Sequence, residues 1–370
     1  MSDALHIHSS LRDYAVEFVD GFAGPLAAYV RDGAFLLCDA NVHALYRDVL
    51  APIVPEKQLL LVEPTESGKT MDAAQALIAE LVARQARRHH VLVALGGGVC
   101  EDVAGFTASV FYRGVDWVYF PTTLLSMADS SIGGKTSINV GQMKNLVGTF
   151  YPPSAVYIDT GFLNTLAVDD IRSGLGEILH FYVYADSPKL PELKAAYREL
   201  LENRELLGVH IRESLDIKKR VIELDEFDRG ERQKFNYGHT FGHALESATD
   251  YAISHGQAVT VGMDLANFLS VHGGLLDRAG FDALHTLFVA NFPDFDWRRL
   301  DTERFTAALS ADKKNVDAAL ICILSGGLGK LVKKRVAMDD TLTALVERYF
   351  NGPTAAKPGA APALEVLDAA

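Results

Sequence analysis

The chain has 370 residues, 49% hydrophobic and 22% charged, an ordinary globular composition at a length that calls for more than one core. Its 48 acidic residues against 35 basic ones give a formal charge of −13, which excludes a nucleic-acid partner, because phosphate-backbone binding needs a basic surface. An anionic small molecule remains compatible with that charge if basic residues gather locally. From the N-terminus, Asp3, Asp13, Glu17 and Asp20 break any basic-then-apolar order, so no secretory signal is expected, and no apolar run approaches a membrane span. Ala34–Cys38, Gln58–Val62, Val91–Leu95 and Trp117–Phe120 read as short strands, with a helix over Met71–Arg88 between them and a further strand at Ala155–Asp159. Such alternation predicts a parallel sheet covered on both faces. Beyond about residue 165 the periodicity becomes helical: Asp169–Tyr184, Pro191–Glu202, Leu206–Leu224, His239–Ala248, Gln257–Val271, Phe281–Val289 and Thr302–Leu309. One late strand is expected at Ala319–Leu324, and Asn351–Ala370, rich in Ala, Pro and Gly, reads as a disordered tail. The expected plan is an α/β domain over 1–165, a mostly α-helical domain over 166–350 and the tail over 351–370. Cys38, Cys100 and Cys322 are scattered without a CxxC pair, which excludes a disulfide scaffold and suits a reducing cytoplasm.

Three sets of residues carry chemistry. Gly96-Gly97-Gly98 follows the strand Val91–Leu95 directly, with Asp102 and Gly105 beyond it. Glycines there let backbone approach a pyrophosphate while the next helix N-terminus offers N–H donors. Glu101 breaks the GxGxxG spacing, and a tight turn would use the same glycines. The GKT triplets at Gly68–Thr70 and Gly134–Thr136 are not P-loops, since Glu63 and Asp129 stand where the leading glycine belongs. The second set is metal-like: His239 and His243 stand at i and i+4 on one helix face. His255 opens the next helix, and Glu177 sits mid-helix among small residues. Imidazoles and a carboxylate suit zinc or a related divalent ion, although the spacing alone fits a polar helix face equally well. The third set is basic and amide residues: Arg113, Lys135, Lys144, Asn145, Lys218, Arg232, Asn236 and the Lys313/Lys314 pair. In an acidic protein they point to phosphate or carboxylate binding.

Taken together, the segments GGGVCEDVAGF, YRG, PTTLLSMADSSIGGKT, KNLVGTFYPP, GLGEIL and NYGHTFGHALE followed by HGQAV resemble the sugar phosphate cyclases, and most of all their dehydroquinate synthase branch. The likeness runs from about residue 35 to 330. It implies a Rossmann-like NAD-binding domain and a helical metal- and substrate-binding domain. NAD would contact Asp39, Asn41, Glu66, Lys69, Gly97, Gly98, Val99, Asp102, Thr122, Thr123, Lys135, Lys144 and the Phe162–Thr165 stretch. Zn2+ or Co2+ would be held by Glu177, His239 and His255, leaving His243 for proton transfer or phosphate contact. Asp129, Lys135, Asn145, Lys218, Arg232, Asn236 and Lys313/Lys314 would line a phosphorylated sugar-acid substrate, and Arg113 would reach the neighbouring subunit of a homodimer. The implied reaction is oxidation, phosphate elimination, reduction, ring opening and aldol closure. One position departs from that branch: its lysine three residues after the Glu ligand is here His180, shorter and able to be neutral near pH 7. Val140–Lys144 also lacks the branch's usual His/Pro/Gly run, whereas Arg232 and Asn236 match carboxylate-binding members. His180 keeps a secondary-metabolism cyclase of aminodehydroquinate or deoxy-inosose type in view. The iron-type alcohol dehydrogenases, which share the two-domain plan, are the alternative of another class.

Overall fold

The computed structural model of the protein describes residues 4–141, 143–311, 319–351 and 363–369. They form two compact units: Met1–Ala167 with Arg204–Phe227, and Val168–Asn203 with Asp228–Ala370. The chain opens with β1 (Leu5–Ile7), β2 (Tyr14–Phe18), α1 (Ala23–Arg31), β3 (Phe35–Asp39), α2 (Ala40–Leu45), α3 (Arg47–Leu50) and β4 (Leu59–Val62). There follow α4 (Met71–Ala83), β5 (Leu92–Gly96), α5 (Gly98–Val110), β6 (Trp117–Pro121), the pair β7 (Lys135–Val140) and β8 (Met143–Phe150), and β9 (Ala155–Ile158). Seven of these strands make one sheet in the order β1-β2-β9-β6-β5-β3-β4, parallel except for the β1/β2 pair. Strands β3, β5 and β6 are buried along their whole length, as expected of central strands covered on both faces. Their carboxyl ends bring Asp39, Gly97 and Thr122 to one edge, where the Thr122 N–H donates to the Gly96 carbonyl at 3.0 Å.

The second unit begins with α6 (Val168–Ala185) and α7 (Leu190–Leu200). Helix α8 (Leu207–Leu224) then belongs with the sheet unit, not with the helical one that periodicity suggested. It packs on the turn Ser126–Ser130 and on β1. The second unit resumes with α9 (His239–Ala248), α10 (His255–His272), α11 (Arg278–Phe288), α12 (Thr302–Ser310), the hairpin β10 (Ala319–Ser325)/β11 (Leu331–Ala337), α13 (Asp340–Phe350) and β12 (Val366–Asp368). Strand β12 corrects the reading of the last residues as an unstructured tail. It pairs antiparallel with β11, the Leu364 N–H donates to the His272 carbonyl at 3.0 Å, and Leu364 itself is buried. No helix among the described residues is long and apolar enough to cross a membrane.

The helical unit is organised around α10, buried on every face through most of its length. Glycine sets how near its neighbours come. A Cβ on Gly176 of α6 would overlap the Gly256 carbonyl, and one on Gly256 would overlap the Ser173 carbonyl. The two helices therefore touch backbone to backbone, and Ser173 Oγ accepts from the Gly256 N–H at 3.0 Å. Helix α9 reaches α10 in the same way, Gly242 lying against the Val259 backbone and Gly262 against the Gly238 carbonyl. Overpacking a dense core typically costs about 1–3 kcal/mol, and here the obstacle is backbone, which cannot rotate away. Gly256→Ala is therefore expected to lower the thermal midpoint by several degrees and to separate Glu177 from His255. Thermal unfolding checks the first effect and metal titration the second. A stable variant with unaltered metal uptake would mean that the crossing has slack.

Candidate active site

The helical unit gathers Glu177 (α6), His239 (α9) and His255 (α10). Glu177 follows Gly176, and His255 precedes Gly256, so the backbone contact brings them together. Glu177 Oε1 lies 3.2 Å from His255 Nε2 and 3.5 Å from His239 Nε2. Glu177 is 1% exposed, and its Oε1 accepts no hydrogen bond. A carboxylate withdrawn from water needs a cation or donors. A divalent ion among two imidazole nitrogens and this oxygen meets that need with borderline-soft ligands suited to zinc or cobalt. The outer nitrogens are already engaged. His239 Nδ1 lies 3.3 Å from the Tyr237 carbonyl, and His255 Nδ1 lies 3.3 Å from Glu246 Oε2. Burial pushes the His239 pKa down to about 4 against the pull of Glu177. At His255 burial works the same way, but Glu246 and Glu177 outweigh it and hold the pKa well above the usual imidazole value.

His243 lies one turn along α9, exposed, with its ring centroid 5.6 Å from those of both His239 and His255. Glu246 was missed by the sequence reading. Its signal was there, since His239, His243 and Glu246 stand at i, i+4 and i+7 on one helical face. His180 is 1% exposed, its Nδ1 3.6 Å from Glu177 Oε2 and its ring against those of Phe235, Tyr237 and His239. Arg232 is buried, and Asn236 Nδ2 donates to the Gln233 carbonyl at 2.9 Å. Lys313 and Lys314 lie outside the described residues.

In the sheet unit, Gly96 is packed so closely that a Cβ would stand 2.6 Å from Cys100 Cβ and 2.9 Å from Asp39 Cβ, whereas a Cβ on Gly98 would meet open space. That opening at the start of α5 fits a phosphate group approaching unpaired N–H donors. Asp39 caps α2, accepting from the Asn41 and Val42 N–H groups at 2.8 and 3.2 Å. Lys69 Nζ donates to Asp102 Oδ2 at 2.6 Å, and Asp102 Oδ1 accepts from the Ser137 N–H at 2.7 Å. Asn139 ties Glu66 to the β7/β8 hairpin: its Nδ2 donates to Glu66 Oε1 at 2.8 Å, and its Oδ1 accepts from the Asn145 N–H at 2.8 Å. Thr123 Oγ1 pairs with Ser126 Oγ at 2.8 Å. Lys135 is exposed and Lys144 half-buried. Phe162 is a core residue, its ring tilted against Phe22 and edge-on to Tyr46, so its side chain is spoken for; Thr165 is exposed beside the Tyr46 hydroxyl. Lys218 reaches Asp129 because α8 joins this unit, its Nζ donating to Asp129 Oδ1 and to the Asp129 carbonyl, both at 2.7 Å. Arg113 is exposed in a turn where Tyr112, Arg113 and Gly114 take φ of 49°, 63° and 115°.

Fold and sites together define a two-unit α/β protein with a phosphate-type glycine edge and a cation-type carboxylate–imidazole centre. The chain belongs to the 3-dehydroquinate synthase family: the model for the 3-dehydroquinate synthase N-terminal region matches residues 59–173 and that for the C-terminal region residues 174–315. A 3-dehydroquinate synthase of Thermoanaerobacter pseudethanolicus is 34% identical over 93% of this chain and 99% of its own. Among solved structures, a 2-deoxy-scyllo-inosose synthase complexed with carbaglucose-6-phosphate, NAD+ and Co2+ is 25% identical, with a TM-score of 0.83 over 93% of this chain and 99% of that one. A 2-epi-5-epi-valiolone synthase from Streptomyces hygroscopicus subsp. jinggangensis 5008, with NAD+ and Zn2+ bound, is 27% identical, with a TM-score of 0.79 over 92% and 97%.

Glu101 carries a testable charge. Burial, reinforced by Asp102, pushes its pKa from 4.5 up to about 8 against the Ser130 hydrogen bond. An acid with a raised folded pKa binds more protons folded than unfolded, so stability falls as pH rises between the two values. Glu101→Gln is expected to flatten the decline in the denaturation midpoint between about pH 4.5 and 8. A slope identical to that of the parent protein would place the proton elsewhere.

Proposed function

We propose that this protein is an NAD- and divalent-metal-dependent 3-dehydroquinate synthase, turning a phosphorylated heptulosonate into 3-dehydroquinate and phosphate. The observation that carries the reading is the buried Glu177 Oε1, without a hydrogen bond and within reach of two imidazole nitrogens; the 34% identical relative supports the choice of substrate. Glu177, His239 and His255 would hold Zn2+ or Co2+, which supplies Lewis-acid stabilisation of a substrate alkoxide. Gly97, Gly98, Val99 and the first N–H groups of α5 would hold the NAD pyrophosphate, with Asp39, Asn41, Glu66, Lys69, Asp102, Thr122, Thr123 and Lys144 around it; NAD+ held there would supply a reversible hydride acceptor, which is consistent with no net redox change. Asp39 and Asp102 act here by anchoring backbone, because their oxygens already accept N–H donors.

The chain's own side chains do the remaining work. Lys218 balances the Asp129 carboxylate and fixes it in place. Lys135 and Asn145 offer donors to a phosphate or hydroxyl. Buried Arg232 provides a guanidinium fork for a carboxylate. Exposed His243, beside the metal-type cluster, would move a proton. His180 favours a second reading, a related cyclase with a different sugar phosphate, since its buried imidazole cannot extend as a lysine would. We further propose a cytoplasmic homodimer, with the three buried cysteines supporting a reducing compartment and the left-handed turn at Arg113 presenting that side chain to a partner subunit.

The test is phosphate release from 3-deoxy-D-arabino-heptulosonate 7-phosphate with NAD+ and added Zn2+ or Co2+, following absorbance at the NADH band. Phosphate without NADH accumulation is expected, and Lys135→Ala should lower kcat by orders of magnitude rather than only raise KM. Stoichiometric NADH would instead mean a dehydrogenase. No release by the parent protein, restored by His180→Lys, would favour the second reading.

A further inference from the structure

We infer that Glu246 is the positioning residue of the metal centre: its carboxylate fixes the His255 ring so that Nε2 faces Glu177. The inference rests on the reading of Glu177, His239 and His255 as the metal ligands. Glu246 is 6% exposed and lies on α9, while His255 opens α10. Its Oε2 stands 3.3 Å from His255 Nδ1, and on the far side of the same ring Nε2 stands 3.2 Å from Glu177 Oε1. The imidazole is thus held between two carboxylates from different helices, one on each nitrogen. With a proton on Nδ1 donated to Glu246, the Nε2 lone pair is left for a cation, and the carboxylate makes that nitrogen a better donor.

His255 needs such a partner more than His239 does. The His255 side chain is 32% exposed against 16% for His239, and His239 Nδ1 has the backbone carbonyl of Tyr237, which cannot swing away. His255 begins its helix and is turned toward a side chain instead, so its orientation depends on Glu246 staying in place. Glu246 also lies close enough to His243 and His255 to form an alternative ligand set. That alternative would place a cation on the exposed side of the ring, and it leaves the buried Glu177 oxygen without a partner; the positioning role satisfies both carboxylates.

The experiment compares the full-length parent protein with Glu246→Ala, Glu246→Gln and His255→Ala, each stripped of metal. Zn2+ affinity is measured by competition with a chromophoric chelator, and the visible absorption of the Co2+ form reports the ligand field. Loss of an outer-shell partner of a metal-bound histidine typically weakens binding about 10–100-fold. Glu246→Ala is expected to do so and to shift the Co2+ bands. Glu246→Gln, whose amide oxygen still accepts from Nδ1, is expected to recover part of the affinity. If Glu246→Ala is unfolded without metal, Glu246→Gln carries the test, with a several-fold weakening expected. Parent-like affinity in a Glu246 variant alongside loss in His255→Ala would overturn the positioning role and leave the ligand reading standing. Parent-like affinity in His255→Ala as well would overturn both. Two bound ions in the parent protein falling to one in Glu246→Ala would make Glu246 a ligand and overturn the inference.

Discussion

The contact on which the metal-type centre depends carries no charged side chain. It is the crossing of α6 and α10 at Gly176 and Gly256, where two helix backbones meet with no side chain between them. Packed helices ordinarily stand about 8–10 Å apart, the distance being set by the side chains at the contact. Removing both Cβ atoms draws the axes together at the level of Glu177 and His255. The Ser173 hydroxyl then satisfies the Gly256 N–H at the start of α10, so the approach leaves that helix-terminal donor paired. The second crossing, α9 over α10 through Gly242 and Gly262, delivers His239 by the same device. Chemistry is thus placed by residues that take no part in it.

The sheet unit solves a different problem. Its edge must bring backbone close to a phosphate while keeping several buried charges in balance. Gly96 lets the β5–α5 turn sit against Cys100 and Asp39. Lys69 with Asp102, and Lys218 with Asp129, are ion pairs whose lysines are nearly inaccessible. A buried pair is worth little as net stability but is expensive to break, which makes it a device for holding geometry. These two pairs pin the loop after β4 to α5, and α8 to the Ser126–Ser130 turn.

Much of this was legible in the sequence, and the omissions have physical causes. The six expected strands and the seven expected later helices are present, because their apolar periods run long enough to declare themselves. The hairpin β7/β8 escaped notice: only Thr136 and Ile138 of its residues are buried, too short an alternation to mark a strand. Strand β12 is three residues in an Ala/Pro-rich stretch, and its pairing with β11 is a tertiary fact that no local pattern announces. Helix α4 ends at Ala83, short of residue 88, because Gln85 turns through a left-handed φ of 64°. The placement of α8 could not be read at all, since an amphipathic helix states that it has a partner but not which one. Among site residues, the Glu177/His239/His255 set was readable only once the resemblance was admitted; spacing alone left His239 and His243 equivalent. The structure separates them by burial, His239 half-buried with its outer nitrogen on the Tyr237 carbonyl and His243 exposed.

Glu101 shows why a broken fingerprint need not mean a lost site. It stands in the first turn of α5, where a further glycine would complete the dinucleotide pattern, and it adds a carboxyl group beside Asp102 at the same helix start. An ionised pair there would oppose an incoming phosphate and spend the helix's positive end internally. Burial resolves the conflict by pushing the Glu101 pKa to about 8, so near neutral pH the group is largely uncharged and the N-terminal field remains directed at the opening over Gly98. Its second oxygen accepts from the Ser130 hydroxyl, which ties α5 to the same turn that holds Asp129 and, through it, Lys218. Where glycine would have offered only space, this chain has a neutral acid that links the glycine edge to the Asp129 turn.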